Sequence, residues 1–337
     1  MKRVTIVGGG LSGLSLGIAL RKREVPVRIY EAGKYPRHRV CGEFINGVSR
    51  ETLEELGIAE VLESSRRHRT TQWWHGGREL CQLELEQAAL GVSRYVLDEK
   101  LADLFVSLVG ELETGRRMSR SREEGIVWAA GRKPDRGSEW LGLKVHVQGL
   151  EMGADLEMHL GSSAYVGLAP IEQGRVNVCG LFRKGQARGS GVNLLWEYLE
   201  ANGLGALRSR LQGVEVVDGS FIGVSAFHLG AQDVAEDECV LGDAESMIPP
   251  FTGNGMSMAF EAAESAIVPL ESYAAGGANW QSTIVELRGR LKERFRRRLT
   301  TARVIHPLLF SDFGKLLLSA SASAGVFPFR SLSRLLR

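Results

Sequence analysis

Two glycine-rich turns, more than 200 residues apart, hold the residue types that could do chemistry in this chain. The first is Gly8-Gly9-Gly10-Leu11-Ser12-Gly13, which follows the apolar run at 4–7 and opens a long apolar segment. In a G-x-G-x-x-G of this context Gly8 permits a tight turn and Gly10 lets a diphosphate sit against the backbone. Gly13 lets helix and strand pack closely, with the helix N-terminus facing the phosphates. Glu31, 18 residues after Gly13, ends a second apolar run beside Ala32 and is placed to accept hydrogen bonds from a ribose diol. The second turn runs from Gly242-Asp243-Ala244 to Pro250-Phe251-Thr252-Gly253-Asn254-Gly255-Met256. An Asp on a turn can hold a sugar-chain hydroxyl. Glycines at a helix start bring N–H groups and the positive end of a dipole toward a ring, and a reduced flavin carries negative charge near N1 and O2.

Other side chains could act beside such a cofactor. Cys41 stands among Arg37, His38 and Arg39, cations that lower a thiol pKa, which makes it a candidate pocket residue and proton donor. Trp73, Trp74, Tyr165 and Phe251 could line an apolar substrate cavity. His146 and His159 alternate with apolar residues, so both are expected to face solvent, and no metal site is assigned.

The elements that must position these residues follow from periodicity. Residues 4–7, 11–23 and 27–30 read as a strand–helix–strand unit, 50–64 and 95–108 as helices, and 126–130 as a buried strand. The texture then changes to alternation at 141–147, continued at 156–160, 165–169, 175–182 and 221–226, the mark of a half-buried antiparallel sheet. Short-strand style returns at 239–243, followed by helices over about 254–273 and 284–301. Interleaved domains are therefore expected. Residues 1–69, 90–135 and 235–285 build a nucleotide-binding α/β layer, 70–89 and 136–234 a β-sheet substrate domain, and 286–337 a C-terminal helical segment.

At these motifs the chain resembles the FAD-dependent para-hydroxybenzoate hydroxylase-like superfamily, which includes the geranylgeranyl reductases. A G-x-G-x-x-G opens that family's chains and a G-D-A…P-x-x-G-x-G follows near two-thirds of their length, as at Gly8–Gly13 and Gly242–Gly255 here. The resemblance implies an α/β fold: a Rossmann-type, GR2-like FAD-binding domain with an inserted, mostly antiparallel sheet and C-terminal helices. It implies cofactor contacts from Arg39, Cys41 and Gly42, from Arg94 at the start of a helix, and from Ala130-Gly131. Asp243 then corresponds to the ribityl or diphosphate contact, and Gly253–Gly255 to the loop beside the isoalloxazine. Tyr165 and Pro170 keep the ends of the reductases' Y-x-W-x-F-P over the substrate, while Gly167 stands where they have Trp, which leaves a roomier cavity.

The composition fits this. With 44% hydrophobic and 24% charged residues and a net charge of +2, disordered, fibrous and polyanion-binding classes are excluded. Four scattered cysteines suggest reduced thiols in the cytoplasm. Residues 288–337 are an exception, with twelve Lys/Arg against two Asp/Glu. The apolar stripe of Ile284, Leu287, Leu291, Phe295 and Leu299 among Arg294, Arg296, Arg297 and Arg298 reads as a packed helix with a solvated basic face. The sharper alternative is peripheral contact with the inner face of an anionic membrane. No nucleic-acid module accompanies the charge. The expected activity is an FAD-dependent oxidoreductase, with NADH or NADPH as external reductant, that reduces or dehydrogenates a small apolar substrate at the flavin N5 edge. The alternatives are a monooxygenase working through a flavin C4a-hydroperoxide, and a non-catalytic flavin-binding regulator.

Overall fold

A computed structural model describes residues 1–185 and 189–323; the end of the predicted C-terminal segment, 324–337, lies outside the described residues. The chain opens with β1 (Val4–Val7), α1 (Leu11–Arg21) and β2 (Val27–Glu31), then β3 (Phe44–Ile45), α2 (Arg50–Glu55), β4 (Arg66–His75) and β5 (Arg78–Gly91). Next come α3 (Arg94–Ser107), β6 (Glu111–Thr114), β7 (Ile126–Trp128), β8 (Trp140–Gln148), β9 (Leu156–Leu160), β10 (Ala164–Pro170) and β11 (Arg175–Arg183). Then α4 (Val192–Ala201), α5 (Gly205–Leu211), β12 (Glu215–Val216), β13 (Ile222–Ser225), β14 (Gly230–Ala231), β15 (Cys239–Val240) and β16 (Ser246–Met247) follow. Finally α6 (Gly255–Ala274), α7 (Trp280–Phe310) and α8 (Asp312–Ser323) complete the described chain.

The first layer is a parallel sheet in the order β15-β7-β1-β2-β6. α1 crosses between β1 and β2 and is buried from Leu11 to Leu20, because the sheet, α3 and α6 enclose it. Such an all-round apolar helix must lie inside a layered core. Gly13 allows it to settle: a Cβ there would stand 1.9 Å from the Gly8 carbonyl oxygen. Ser93 caps α3 by accepting from the Val96 N–H at 3.1 Å, which fixes Arg94 in the first turn. The helix expected over 50–64 is shorter. Leu56 closes α2 and Gly57, at φ +70°, turns the chain into a single 3₁₀ turn at Glu60–Leu62.

The second sheet has nine strands, β12-β8-β11-β10-β9-β4-β5-β3 with β13 on β8, and is antiparallel except for β4 beside β9. α4 and α5 cover one face, where Leu143, Val145 and Val147 join Leu195 and Leu199 in a core. The other face of β8 is covered as well, by the segment between β2 and α2. That overturns one expectation: His146 is only 1% exposed and His159 5%, so neither faces solvent. The alternation was real, but both faces of these strands are packed.

α7 lies on α6. Ile284, Leu287, Leu291 and Phe295 are buried as the stripe predicts, whereas Leu299 is half-buried. The basic face is only partly solvated: Arg298 is buried and donates to Glu261 at 2.7 Å, Arg294 pairs with Glu264 at 2.6 Å, and Arg296 and Arg297 are exposed.

Candidate active site

The β1–α1 turn and the end of β2 are locked together. Gly9 N–H donates to Glu31 Oε2 at 2.8 Å, while Glu31 Oε1 accepts from Gly33 N–H at 2.8 Å and Arg37 Nη2 at 2.7 Å. Tyr35 Oη donates to the Gly9 carbonyl at 2.6 Å. Ala32 is exposed beside this carboxylate. Gly8 sits at φ +114°, and a Cβ on it would meet the Ala129 carbonyl oxygen at 2.3 Å. Gly10 differs: a Cβ there would find no protein atom within 4 Å. The fold requires glycine at 8 and 13, whereas at 10 it leaves open space of the kind a diphosphate would take.

Positive charge gathers beside that space. Arg94 donates to both oxygens of the buried Asp98, at 2.6 and 2.9 Å, and Arg39 Nε donates to the same carboxylate at 2.9 Å. One carboxylate thus serves two guanidiniums. Arg39 Nη2 is buried and makes no hydrogen bond among the described residues, with the carboxylate oxygen Glu31 Oε2 at an ion-pair distance of 3.8 Å. Burial, with Arg94 nearby, lowers the Arg39 pKa. An anionic group would satisfy this site.

The late turn comes to the same place. β15 is the sheet neighbour of β7, itself beside β1, so Gly242 emerges next to α1. Gly242 adopts φ +62°, and a Cβ on it would lie 2.5 Å from Ser12 Oγ. Half-buried Asp243 follows, its carboxyl pushed up by burial against the opposing pull of Arg132 and Arg94. A 3₁₀ turn at Pro250–Thr252 leads through Gly253, at φ +67°, to Asn254 and the start of α6. Asn46 pins this loop, its carbonyl accepting from Ser257 Oγ and, at 3.4 Å, from Asn254 Nδ2. Cβ positions on Gly42, Gly131 and Gly255 all meet open space, with Ala130 exposed beside Gly131. The Met256 side chain turns into the core, so only the backbone N–H groups of this first turn can address a ring.

Beyond Gly42 and the Pro250–Asn254 loop opens a cavity of about 370 Å³ between the nine-stranded sheet and α7–α8. Trp73, Tyr165 and Phe251 line it as predicted, joined by Met158, Met247 and Leu318. Pro170 does not: it lies at the far end of β10 from Tyr165, in a separate depression with Thr70, Asp155 and Arg175. Gly167, which the sequence pointed to, and Gly142, which it did not, keep the sheet side of the cavity flat. Gly180 lines it by its backbone, since a Cβ there would turn away to Phe182 and Val166 in the core under α4 and α5. The signal for Gly142 and Gly180 was their place, with Gly167, on three strands that pair in succession.

Cys41 lines the cavity, but its electrostatics differ from expectation. Arg37 is committed to Glu31 and Arg39 to Asp98, so burial prevails and pushes the Cys41 thiol up despite Arg94. Cys41 should therefore be alkylated slowly at neutral pH; peptide mapping after brief iodoacetamide treatment checks this, and rapid labelling would restore a thiolate.

A buried ionic cluster behind Cys41 also escaped the sequence reading. Glu43, at φ +54°, accepts from the Arg94 N–H at 2.9 Å and bonds His146 Nε2 at 2.6 Å, with Lys144 Nζ 3.3 Å away. Lys144 also meets His38 Nδ1 at 3.1 Å, and burial, with Lys144 and His146, lowers the His38 pKa to about 4. Glu43 and Lys144 are both fully buried.

Residues 1–125 match the family described as FAD binding domain. The cofactor of this domain is FAD. Over 119 residues the chain is 29% identical to the 3-amino-4-hydroxybenzoate 2-monooxygenase PtmB3 of Streptomyces platensis, covering 34% of this chain and 30% of that protein. The chain thus spans about a third of the length of the curated relatives it matches. Among solved structures, Pseudomonas aeruginosa PqsL with 2-aminobenzoylacetate superposes with TM-score 0.74 at 14% identity, covering 94% of this chain and all of that one. Klebsiella pneumoniae HpxO with FAD and uric acid gives 0.77 at 16% identity, covering 99% and 95%. These agree with the fold of the para-hydroxybenzoate hydroxylase-like resemblance; its geranylgeranyl reductase branch has no counterpart in the relatives named.

Proposed function

We propose that this chain is an FAD-dependent monooxygenase acting on an uncharged, largely apolar substrate held in the cavity beside the Pro250–Asn254 loop. The cavity lining carries this reading: apolar and aromatic side chains predominate, with no Lys, Arg, His, Asp or Glu among the described residues that line it. A carboxylate-bearing substrate would lose its hydration there without gaining a partner. The volume is within the range of small-molecule sites, roughly 300–1,000 Å³.

Bound FAD, reduced by NADH or NADPH, supplies the redox and oxygen chemistry; the chain supplies position and electrostatics. Glu31 is set to receive the ribose hydroxyls, Arg39 and Arg94 to neutralise the diphosphate, and Asp243 to hold a sugar-chain hydroxyl. The N-terminus of α6 favours negative charge on the ring. The aromatic walls exclude water from the reacting edge.

Relatives named as monooxygenases favour this reading over reduction of the substrate, which was the first expectation. The experiment is turnover of the flavin-loaded protein with NADH or NADPH and a panel of apolar aromatic compounds under labelled dioxygen. Incorporation of one labelled oxygen atom is expected; anaerobic reoxidation of reduced flavin by substrate would return the reductase reading.

Gly167 offers a sharper check. A Cβ there would meet nothing closer than Met158 Cε at 3.8 Å, so Gly167→Trp has space only within the cavity. FAD should stay bound while kcat/KM for the larger substrates falls about 100-fold or more, the upper part of what apolar pocket contacts discriminate. Unchanged kinetics would place the substrate elsewhere.

A further inference from the structure

The described residues include ten strongly exposed large apolar side chains, and five of them crowd one corner: Val304, Leu308, Phe313, Leu316 and Leu317. The corner is where α7 ends, Ser311 leaves helical geometry and α8 sets off in a new direction. Phe313 is 69% exposed and Leu316 67%. Leu308 and Leu317 are exposed and also line the apolar cavity, so the patch frames the cavity's mouth. Lys315, the one cation of α8 among the described residues, turns inward to donate to the Ser162 carbonyl and leaves this face apolar. Asp312 is the acid at its start.

Charge borders the patch on the α7 side. Arg297, Val304 and Leu308 share a helix face by their spacing of seven and four, and Arg296 and Arg303 flank it, all three arginines exposed. Residues 288–323 hold nine Lys/Arg against two Asp/Glu. Protruding apolar side chains rimmed by exposed arginines make the pattern of an interfacial helix that lies in the headgroup region. Among the described residues no helix is long and apolar enough to cross a membrane.

We propose that the α7–α8 corner docks on the surface of an anionic lipid bilayer and presents the cavity mouth to it. A substrate that suits an uncharged apolar cavity dissolves poorly in water and partitions into lipid, which is where this mouth would face. In that purpose the proposal rests on the apolar-substrate reading; its test does not.

The test is co-sedimentation of the FAD-loaded full chain with phosphatidylcholine vesicles, with and without phosphatidylglycerol. Binding to the anionic vesicles is expected, weakened about tenfold or more by Phe313→Ser with Leu316→Ser, by Arg296→Gln with Arg297→Gln and Arg303→Gln, and by high salt. Neither Phe313 nor Leu316 lines the cavity, so their variants should keep the flavin spectrum. Failure of the wild-type chain to bind, or equal binding by the variants, overturns the proposal. So does a dimer in solution that Phe313→Ser dissociates, or vesicle binding that appears only after deletion of residues 324–337; these outcomes assign the corner to a second copy or to the chain's own end. A chain that binds vesicles but incorporates no oxygen refutes the monooxygenase reading alone. One that hydroxylates and binds no vesicle refutes the docking alone.

Discussion

Gly10→Val is expected to leave the protein folded and to weaken FAD binding by about 100-fold or more, roughly 2.7 kcal/mol, whereas Gly13→Val should prevent folding. The two glycines belong to one motif but answer to different constraints. Gly10 has φ −88° and ψ −171°, extended backbone that valine adopts without strain, and its Cβ direction is empty to 4 Å. A valine there takes only the space in front of the turn. Gly13 has the Gly8 carbonyl oxygen 1.9 Å from where its Cβ would be, with Ile6 Cγ2 at 3.2 Å, so α1 would have to lift off β1. Lifting it would open the core of Leu14, Ile18, Phe260 and their neighbours. Circular dichroism and thermal melting read the fold; titration of the stripped protein with FAD reads the affinity. A Gly10→Val protein that binds FAD as wild type does would mean that no diphosphate lies against this turn, and the assignment of the groove would go with it.

The contrast shows what the sequence could carry. The β1–α1–β2 unit was legible because its constraints are local: a tight turn, a close helix and a carboxylate at the next strand end leave glycines and an acid at fixed offsets. The late turn at Gly242 was legible for the same reason, although its contact with Ser12 is a matter of sheet order and could be inferred only through a resemblance. The face of β8 was half legible. Alternation told which side chains point together, and Leu143, Val145 and Val147 do face one core. It could not tell what lies over Lys144 and His146, because the covering segment comes from residues 38–43, about a hundred positions earlier. Cys41 failed likewise: its neighbours in sequence are cations, but in space they are spent on Glu31 and Asp98. Pro170 was carried by a motif's spacing, and the strand that holds Tyr165 in the cavity carries Pro170 out of it.

That hidden face sets up a second large change in stability. Glu43→Gln should destabilise the fold by about 3–5 kcal/mol, as breaking a buried ion pair does. Burial alone would push the Glu43 carboxyl up; the hydrogen bond with His146, the Lys144 ammonium and the Arg94 N–H overcome it and hold the pKa below its usual value. The glutamine keeps the shape but leaves Lys144, fully buried, without its negative partner. Lys144→Met should cost less, since Glu43 retains His146 and the Arg94 N–H, and the double variant should be more stable than Glu43→Gln alone. The pH dependence follows from the sign of the shift. With a folded pKa below the unfolded value of about 4.5, Glu43 stabilises at pH above that value, and the contribution is lost as pH falls through the folded pKa. His38, neutral in the fold down to about pH 4, adds a loss that begins earlier, as the unfolded chain takes up its proton below about 6.5. Urea unfolding across pH 3 to 8 should therefore show stability falling below about 6.5 in the wild type, with a shallower fall below about 4.5 in Glu43→Gln. Equal stability of Glu43→Gln and the wild type at neutral pH would mean that hydrogen bonds rather than charge hold residues 38–43 to the sheet.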